Sequence, residues 1–94
     1  MTSVTTINLP NRFDFGFHKE FTEQSRAFLA QQDAQDLLLD FTHVSYLDSA
    51  ALGMLVYLHK QASNARKRIK LVNTSPFADE ILKVANIDKI IETL

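Results

Sequence analysis

Cysteine is absent from this 94-residue sequence, and glycine and proline occur only twice each. Without cysteine there can be no disulfide, no thiolate metal site and no cysteine nucleophile. The two glycines, Gly16 and Gly53, lie far apart, so the chain has no glycine-rich loop of the kind that cradles a phosphate. These absences exclude several classes of enzyme and metalloprotein.

The chain also lacks an excess of either charge and a long apolar run. Ten Lys and Arg residues balance eleven Asp and Glu, giving a formal net charge of -1, whereas a nucleic-acid binder is usually basic. No apolar run approaches the ~18 residues needed to span a bilayer. Residues 1–10 have neither the basic start nor the apolar stretch of a secretory signal. We therefore expect a cytoplasmic protein that neither inserts into a membrane nor binds nucleic acid directly.

What the sequence does contain is an ordinary globular balance, with 46% hydrophobic and 22% charged residues, in a length that suits one domain. Runs typical of strands alternate with segments whose apolar residues follow helical spacing. This order predicts an α/β protein with a small, mostly parallel or mixed sheet of four to five strands, covered by three to four helices. The predicted strands are residues 4–9, 12–15, 37–41 and 69–72; the predicted helices are 17–31, 50–65 and one starting at 76; residues 87–94 are expected to form a short helix or a last strand.

The segment from residue 37 to 55 is the most informative for function. It runs from a buried strand through Asp48 and Ser49 into an apolar helix, which places Ser49 at the carboxyl edge of the sheet, where α/β proteins carry functional residues. Either Asp48 or Ser49 could simply cap the helix. The helix itself is apolar on two stripes, so its second stripe contacts either the domain or a partner.

This segment resembles the signature of STAS domains, which are found in anti-sigma factor antagonists. The family pattern is an apolar strand, an aromatic or apolar pair, Asp-Ser, two small residues and Leu-Gly before an apolar helix. The matching residues are Leu37-Leu38-Leu39-Asp40-Phe41, Tyr46-Leu47, Asp48-Ser49 and Leu52-Gly53, and Phe13-Asp14 matches an early Leu-Asp pair. The chain departs from the pattern with Ala50-Ala51 where Ser-Gly is common, and with Asn11-Arg12 where a glycine usually precedes the early pair.

The resemblance implies a single STAS domain over residues 1–94 and a non-enzymatic, partner-switching regulator that needs no cofactor. The unphosphorylated protein would bind an anti-sigma factor, often a serine kinase, and so release a sigma factor. Phosphorylation of Ser49 would end that binding, and a serine phosphatase would restore it. The expected contact surface comprises Asp48, Ser49, Ala50, Ala51, Met54 and Tyr57. Alternatively, STAS domains also serve as accessory subunits of membrane transport complexes, such as a phospholipid-transport ABC system.

Three other interpretations of the sequence are weaker. Catalysis by Ser49 with His43 as base lacks the Gly-x-Ser-x-Gly elbow. No two of the three histidines have the spacing of metal ligands, and we expect no metal site. A nucleic-acid patch at the basic residues 66–68 is disfavoured, and these residues are best interpreted as a solvated helix end. For Met54 and Tyr57 the alternative to the contact surface stays open, because apolar residues at helical spacing are more often core than interface.

Overall fold

The computed structural model describes residues 3–94 of the chain. This part of the chain contains six strands, three helices and two short 3-10 turns. In chain order they are β1 (Ser3–Asn8), β2 (Arg12–Phe13), a 3-10 turn (Phe15–Phe17), α1 (His18–Ala30), β3 (Ala34–Asp40), β4 (Tyr46–Leu47), α2 (Ser49–Asn64), β5 (Arg68–Val72), α3 (Pro76–Val84), a second 3-10 turn (Ile87–Lys89) and β6 (Glu92–Thr93).

Four of the strands form a parallel sheet in the order β1-β3-β5-β6. In its central register, Leu37 of β3 lies between Thr5 of β1 and Ile69 of β5. Because each crossover moves the chain one strand further in the same direction, right-handed connections place the helices on one face of the sheet. This arrangement confirms the predicted α/β fold with a mostly parallel sheet.

The hydrophobic core lies between that face of the sheet and the helices. Alternate strand residues point into it, as the pleat requires, and helices α1 and α2 contribute one stripe each. Phe13 stands at the centre of an aromatic cluster, with its ring centroid 5.8 Å from that of Phe21, 6.1 Å from Phe17 and 6.3 Å from Phe41. The largest fully buried side chains are Phe13, Phe28, Phe41, Ile7, Leu9, Leu37, Leu39, Leu55, Leu58, Leu71, Leu82 and Ile91.

The second predicted strand is shorter than expected. The sequence predicts a strand over residues 12–15, which would place Phe13 and Phe15 on one face, but the strand ends at Phe13 and Phe15 begins a 3-10 turn. Asp14 causes the change, because its Oδ1 accepts a hydrogen bond from the Gly16 backbone N–H at 2.8 Å. Phe15 is consequently exposed and stacks on His18, with 5.0 Å between ring centroids.

The interpretation of residues 66–68 as a solvated helix end is wrong for Lys67. Its side chain is buried, and its Nζ donates to the carbonyl oxygens of Phe28 at 3.1 Å, Ala34 at 2.7 Å and Gln31. Phe28 and Gln31 lie at the end of α1, where a helix leaves some of its last carbonyls without an intrahelical donor, and Ala34 begins β3. The Phe28 carbonyl also accepts from the Gln31 backbone N–H at 3.1 Å. Lys67 therefore joins the end of α2 to the end of α1.

No helix within residues 3–94 combines the length and hydropathy needed to cross a membrane. In the same part of the chain, no group of three or more histidine and acidic side chains is placed to hold a metal ion.

Candidate functional site

A two-stranded parallel sheet of β2 and β4 leads directly into the Asp48-Ser49 turn. It pairs Arg12 with Tyr46 and Phe13 with Leu47. Phe13 and Leu47 are buried, so the other two side chains lie on the exposed face. This small sheet anchors the beginning of α2 to the core on one side and displays Arg12 and Tyr46 on the other.

Asp48 is the residue that caps α2. Its backbone is extended, and its Oδ1 accepts a hydrogen bond from the Ala51 backbone N–H at 2.9 Å. The choice that the sequence left open is thereby resolved, since a carboxylate oxygen satisfies one of the free N–H groups of the first turn. Ser49 is the first residue of the helix and is exposed to solvent.

An exposed stripe runs along α2 from Ser49 through Gly53 to Tyr57, at intervals of four residues. A Cβ atom placed on Gly53 would meet no heavy atom within 4 Å. Tyr57 is 66% exposed. An incoming protein surface could therefore approach Ser49 along this stripe without obstruction from the chain itself.

The other residues of the expected contact surface lie deeper. Ala50 is half-buried, Ala51 is fully buried and Met54 is 8% exposed. Ala51 belongs to the stripe that packs on the sheet, which continues through Leu55 and Leu58. The structure thus brings Asp48, Ser49 and Tyr57 to the surface, whereas Ala51 has its side chain in the core.

Met54 lies in a groove of about 290 Å³ between α1 and α2. Buried apolar side chains line its base, and exposed polar and aromatic residues stand at its edge. The base includes Phe21, Met54 and Leu58, and the edge includes His18, Arg26 and Tyr57. Tyr57 therefore belongs both to the exposed stripe and to this groove.

Arg12 is a charged neighbour of the turn that the sequence reasoning missed. Its Nε lies 2.7 Å from Asp14 Oδ2, and its guanidinium carbon lies 4.1 Å from the centroid of the Tyr46 ring. The hydrogen bond to Asp14 raises the pKa of Arg12, and the charges of Asp14, Tyr46 and Asp48 act in the same direction. The sequence predicts a strand over residues 12–15, but nothing in it shows that this strand pairs with residues 46–47.

Asp40 organises the loop that precedes the small sheet. Its Oδ1 accepts hydrogen bonds from the Thr42 backbone N–H at 2.9 Å, from the Thr42 hydroxyl and from Asn73 Nδ2 at 3.1 Å. These bonds lower the pKa of Asp40, with a smaller contribution from the nearby charge of His43. His43 is exposed and acts electrostatically on Asp40.

This chain is similar to known proteins in its sequence. A family model described as Mlab, STAS domain matches residues 2–92. A STAS-domain containing protein of Pseudomonas aeruginosa is 34% identical over 85 residues, which cover 90% of this chain and 82% of that protein.

Solved structures share the fold at lower sequence identity. The protein TM1081 of Thermotoga maritima superposes with a TM-score of 0.84 at 21% identity, covering 97% of this chain and 73% of that one. The anti-sigma factor antagonist SpoIIAA in its unphosphorylated form gives 0.79 at 17% identity, covering 100% and 82%. The Bacillus SpoIIAA structure in the phosphorylated form gives 0.74 at 15% identity, covering 100% and 85%.

Proposed function

This chain belongs to the STAS domain family, and from that premise we propose that it is an anti-sigma factor antagonist controlled by phosphorylation of Ser49. The unphosphorylated protein binds an anti-sigma factor, often itself a serine kinase, and a sigma factor is released. Phosphorylation of Ser49 ends the interaction, and a serine phosphatase resets it. We also propose that residues 1–94 form one STAS domain acting as a non-enzymatic regulator in the cytoplasm.

The single observation that carries this proposal is the exposure of Ser49 beside a capped helix start. Asp48 already accepts the hydrogen bond from the first turn, so the Ser49 hydroxyl is not needed as the cap. A kinase can reach the hydroxyl without unfolding α2. SpoIIAA, which has a similar fold, has been solved in phosphorylated and unphosphorylated forms, and this supports the proposal that a protein of this fold is controlled by phosphorylation.

The proposed modification is an ordinary phosphoryl transfer. Ser49 Oγ attacks the γ-phosphorus of ATP, the bond from that phosphorus to the β–γ bridging oxygen breaks, the hydroxyl proton passes to a base, and ADP leaves. Hydrolysis by the phosphatase returns serine and inorganic phosphate. ATP and the catalytic groups belong to the kinase, so this chain requires no cofactor.

The added phosphoryl group acts on the interface more than on the fold. It brings about -1.5 to -2 charges and three acceptor oxygens. The positive end of the α2 dipole tolerates this charge, so the helix persists. A partner packed over Ser49, Gly53 and Tyr57 meets new bulk and charge at the beginning of that stripe. The carboxylate of Asp48, the residue before Ser49, adds to the negative charge that the partner faces.

The proposal is tested by comparing serine with genetically encoded phosphoserine at position 49. Each form is used to capture proteins from the native cytoplasm, and each captured anti-sigma factor is purified and titrated against both forms. We expect binding by the serine form and at least about a tenfold loss with phosphoserine. Ser63, exposed near the other end of α2, provides the matched control, because phosphoserine there adds the same charge away from the stripe.

Two results would contradict the proposal. Equal affinity of the serine and phosphoserine forms for the anti-sigma factor would remove the switch. Equal capture of a transporter ATPase by both forms, with no anti-sigma factor retained, would assign the chain to the transport class of STAS domains instead.

A further inference from the structure

We infer that Arg12 is the counter-ion of a phosphoryl group on Ser49, exchanging its partner Asp14 for the phosphate when the serine is modified. This inference rests on the proposed phosphorylation of Ser49. Arg12 lies on a different segment of the chain from Ser49.

The position of Arg12 follows from the β2–β4 register. Arg12 lies opposite Tyr46, and the guanidinium stacks over the Tyr46 ring at 4.1 Å. Two residues further along each segment, Asp14 and Asp48 continue on the same side, because side chains alternate along extended backbone. The guanidinium therefore stands beside the turn from which α2 and Ser49 begin.

The charges around this turn favour the exchange. The titratable groups are Arg12 and Asp14 on the β2 side, and Tyr46 and Asp48 on the β4 side. Without modification, one guanidinium faces two carboxylates. A phosphoserine adds a group of about -1.5 to -2 charges, which would be repelled by both carboxylates. Arginine binds phosphate through two parallel N–H donors, and this bond is stronger than a single contact through Nε.

Asp14 can release Arg12 without loss of local structure. Its Oδ2 contacts Arg12 Nε at 2.7 Å, while its Oδ1 accepts from the Gly16 backbone N–H at 2.8 Å. The second bond holds the 3-10 turn and does not involve the arginine. Asp48 similarly keeps its bond to Ala51. The guanidinium can therefore move to the phosphate while both caps remain in place.

The second ion pair described in the chain provides a matched control. Arg68 Nε lies 3.2 Å from Asp36 Oδ1, and the Arg68 side chain is 70% exposed, against 67% for Arg12. Arg68 begins β5 and Asp36 lies near the beginning of β3, so this pair is at the opposite edge of the sheet from Ser49. Arg68→Gln removes the same charge without changing the surroundings of the turn.

The experiment measures the second pKa of phosphoserine at position 49 by ³¹P NMR titration, in the protein with encoded phosphoserine. We expect Arg12→Gln to raise this pKa by about 0.5 unit or more, a modest shift because the site is solvated, and Arg68→Gln to leave it unchanged. The rise should shrink as salt screens the pair. Identical titration curves for the two arginine variants would overturn the inference.

A second variant keeps the test decisive if Arg12→Gln perturbs the small sheet. Asp14→Asn retains an oxygen for the Gly16 bond but removes the competing carboxylate. It should lower the phosphoserine pKa, and by more when Arg12 is present than in a chain that carries Arg12→Gln. Equal shifts in both backgrounds would show that Arg12 does not pair with the phosphate. Because no partner enters these titrations, their result is independent of whether phosphorylation alters binding.

Discussion

Asp48 Oδ1 accepts a hydrogen bond from the Ala51 backbone N–H at 2.9 Å, and this bond gives two adjacent residues different roles. Asp48 holds the first turn of α2, whereas Ser49 presents a hydroxyl to solvent. Ala51 is fully buried, so the bond also joins the exposed turn to the core. A change at Ser49 can therefore alter the surface while the helix start stays fixed.

Replacing Asp48 separates capping from switching. Asp48→Ala should lower the free energy of unfolding by about 1 kcal/mol, because an N–H of the first turn loses its acceptor. Asp48→Asn keeps an acceptor oxygen and should lose much less. Urea denaturation of the three proteins measures the difference. Equal losses for Ala and Asn would show that the carboxylate charge, and not the cap, supplies the stabilisation.

Gly53 offers a test in which stability and binding move in opposite directions. Its position within α2 and the open space around it indicate that Gly53→Ala should stabilise the free protein by about 0.5–1 kcal/mol. If a partner packs closely over the stripe from Ser49 to Tyr57, the same methyl group should weaken binding. Denaturation and titration with the partner measure the two effects. Unchanged affinity in the stabilised variant would place the contact elsewhere.

Tyr57 is expected to contribute to the affinity for the partner but little to the fold. Its side chain is 66% exposed, so Tyr57→Ala should change the free energy of unfolding by within about 0.5 kcal/mol. Exposed tyrosines are frequent anchors of interfaces, and we expect at least about a tenfold loss of affinity for the partner. Val84→Ala, on the exposed side of α3, is the control that should leave affinity unchanged. Equal affinities of the two variants would remove Tyr57 from the interface.

Local signals in the sequence predicted the fold well. The pair Ser75-Pro76 predicts the start of a helix, because a capping serine precedes a proline at the first helical position. In the structure, Ser75 Oγ accepts a hydrogen bond from the Ala78 backbone N–H at 3.1 Å. The predicted start of the second helix, at residue 50, differs from the observed start by one residue. Both signals lie within a few residues of the feature they specify.

Contacts between distant segments were not predictable in the same way. In the sequence, Lys67 is one of three consecutive basic residues, but in the structure its Nζ donates a hydrogen bond to the carbonyl oxygen of Ala34, 33 residues earlier. The Arg12–Tyr46 contact joins segments 34 residues apart through a strand pair of only two residues on each side. Such short pairs carry no periodic pattern, so their register comes from the tertiary packing of Phe13 and Leu47.

Asp40 makes the stability of the protein depend on pH in the acid range. Because its hydrogen bonds lower its pKa in the folded state, the ionised carboxylate stabilises the fold above its unfolded pKa of about 3.9. This stabilisation is lost as the pH falls through the lower, folded pKa. Urea denaturation at pH 6 and pH 3 measures how much free energy of unfolding is lost on acidification. This loss should be smaller for Asp40→Asn than for the unmodified chain. An equal loss in the two proteins would show that other carboxylates cause the acid dependence. Asp33→Asn, in an exposed turn, is the control.

Lys67 should be among the least replaceable polar residues of the chain. Its Nζ donates to carbonyl oxygens of Phe28, Gln31 and Ala34 and lies 4.8 Å from the centroid of the Phe28 ring. Lys67→Met keeps a long apolar side chain but removes the ammonium donor from all three carbonyls, of which Phe28 O keeps its bond from the Gln31 backbone N–H at 3.1 Å. We therefore expect a loss of about 2–3 kcal/mol in the free energy of unfolding.

The matched control for Lys67 is Lys60→Met, which removes the same charge from an exposed position on α2. That change should stay within about 0.5 kcal/mol. Native-state hydrogen exchange adds a spatial readout, because Lys67→Met should reduce protection at the end of α1 more than at Ser49, where the Asp48 cap is intact. Equal stability of the two variants would mean that the α1 carbonyls find water in place of the ammonium group. The link between the ends of α1 and α2 would then be dispensable for the fold.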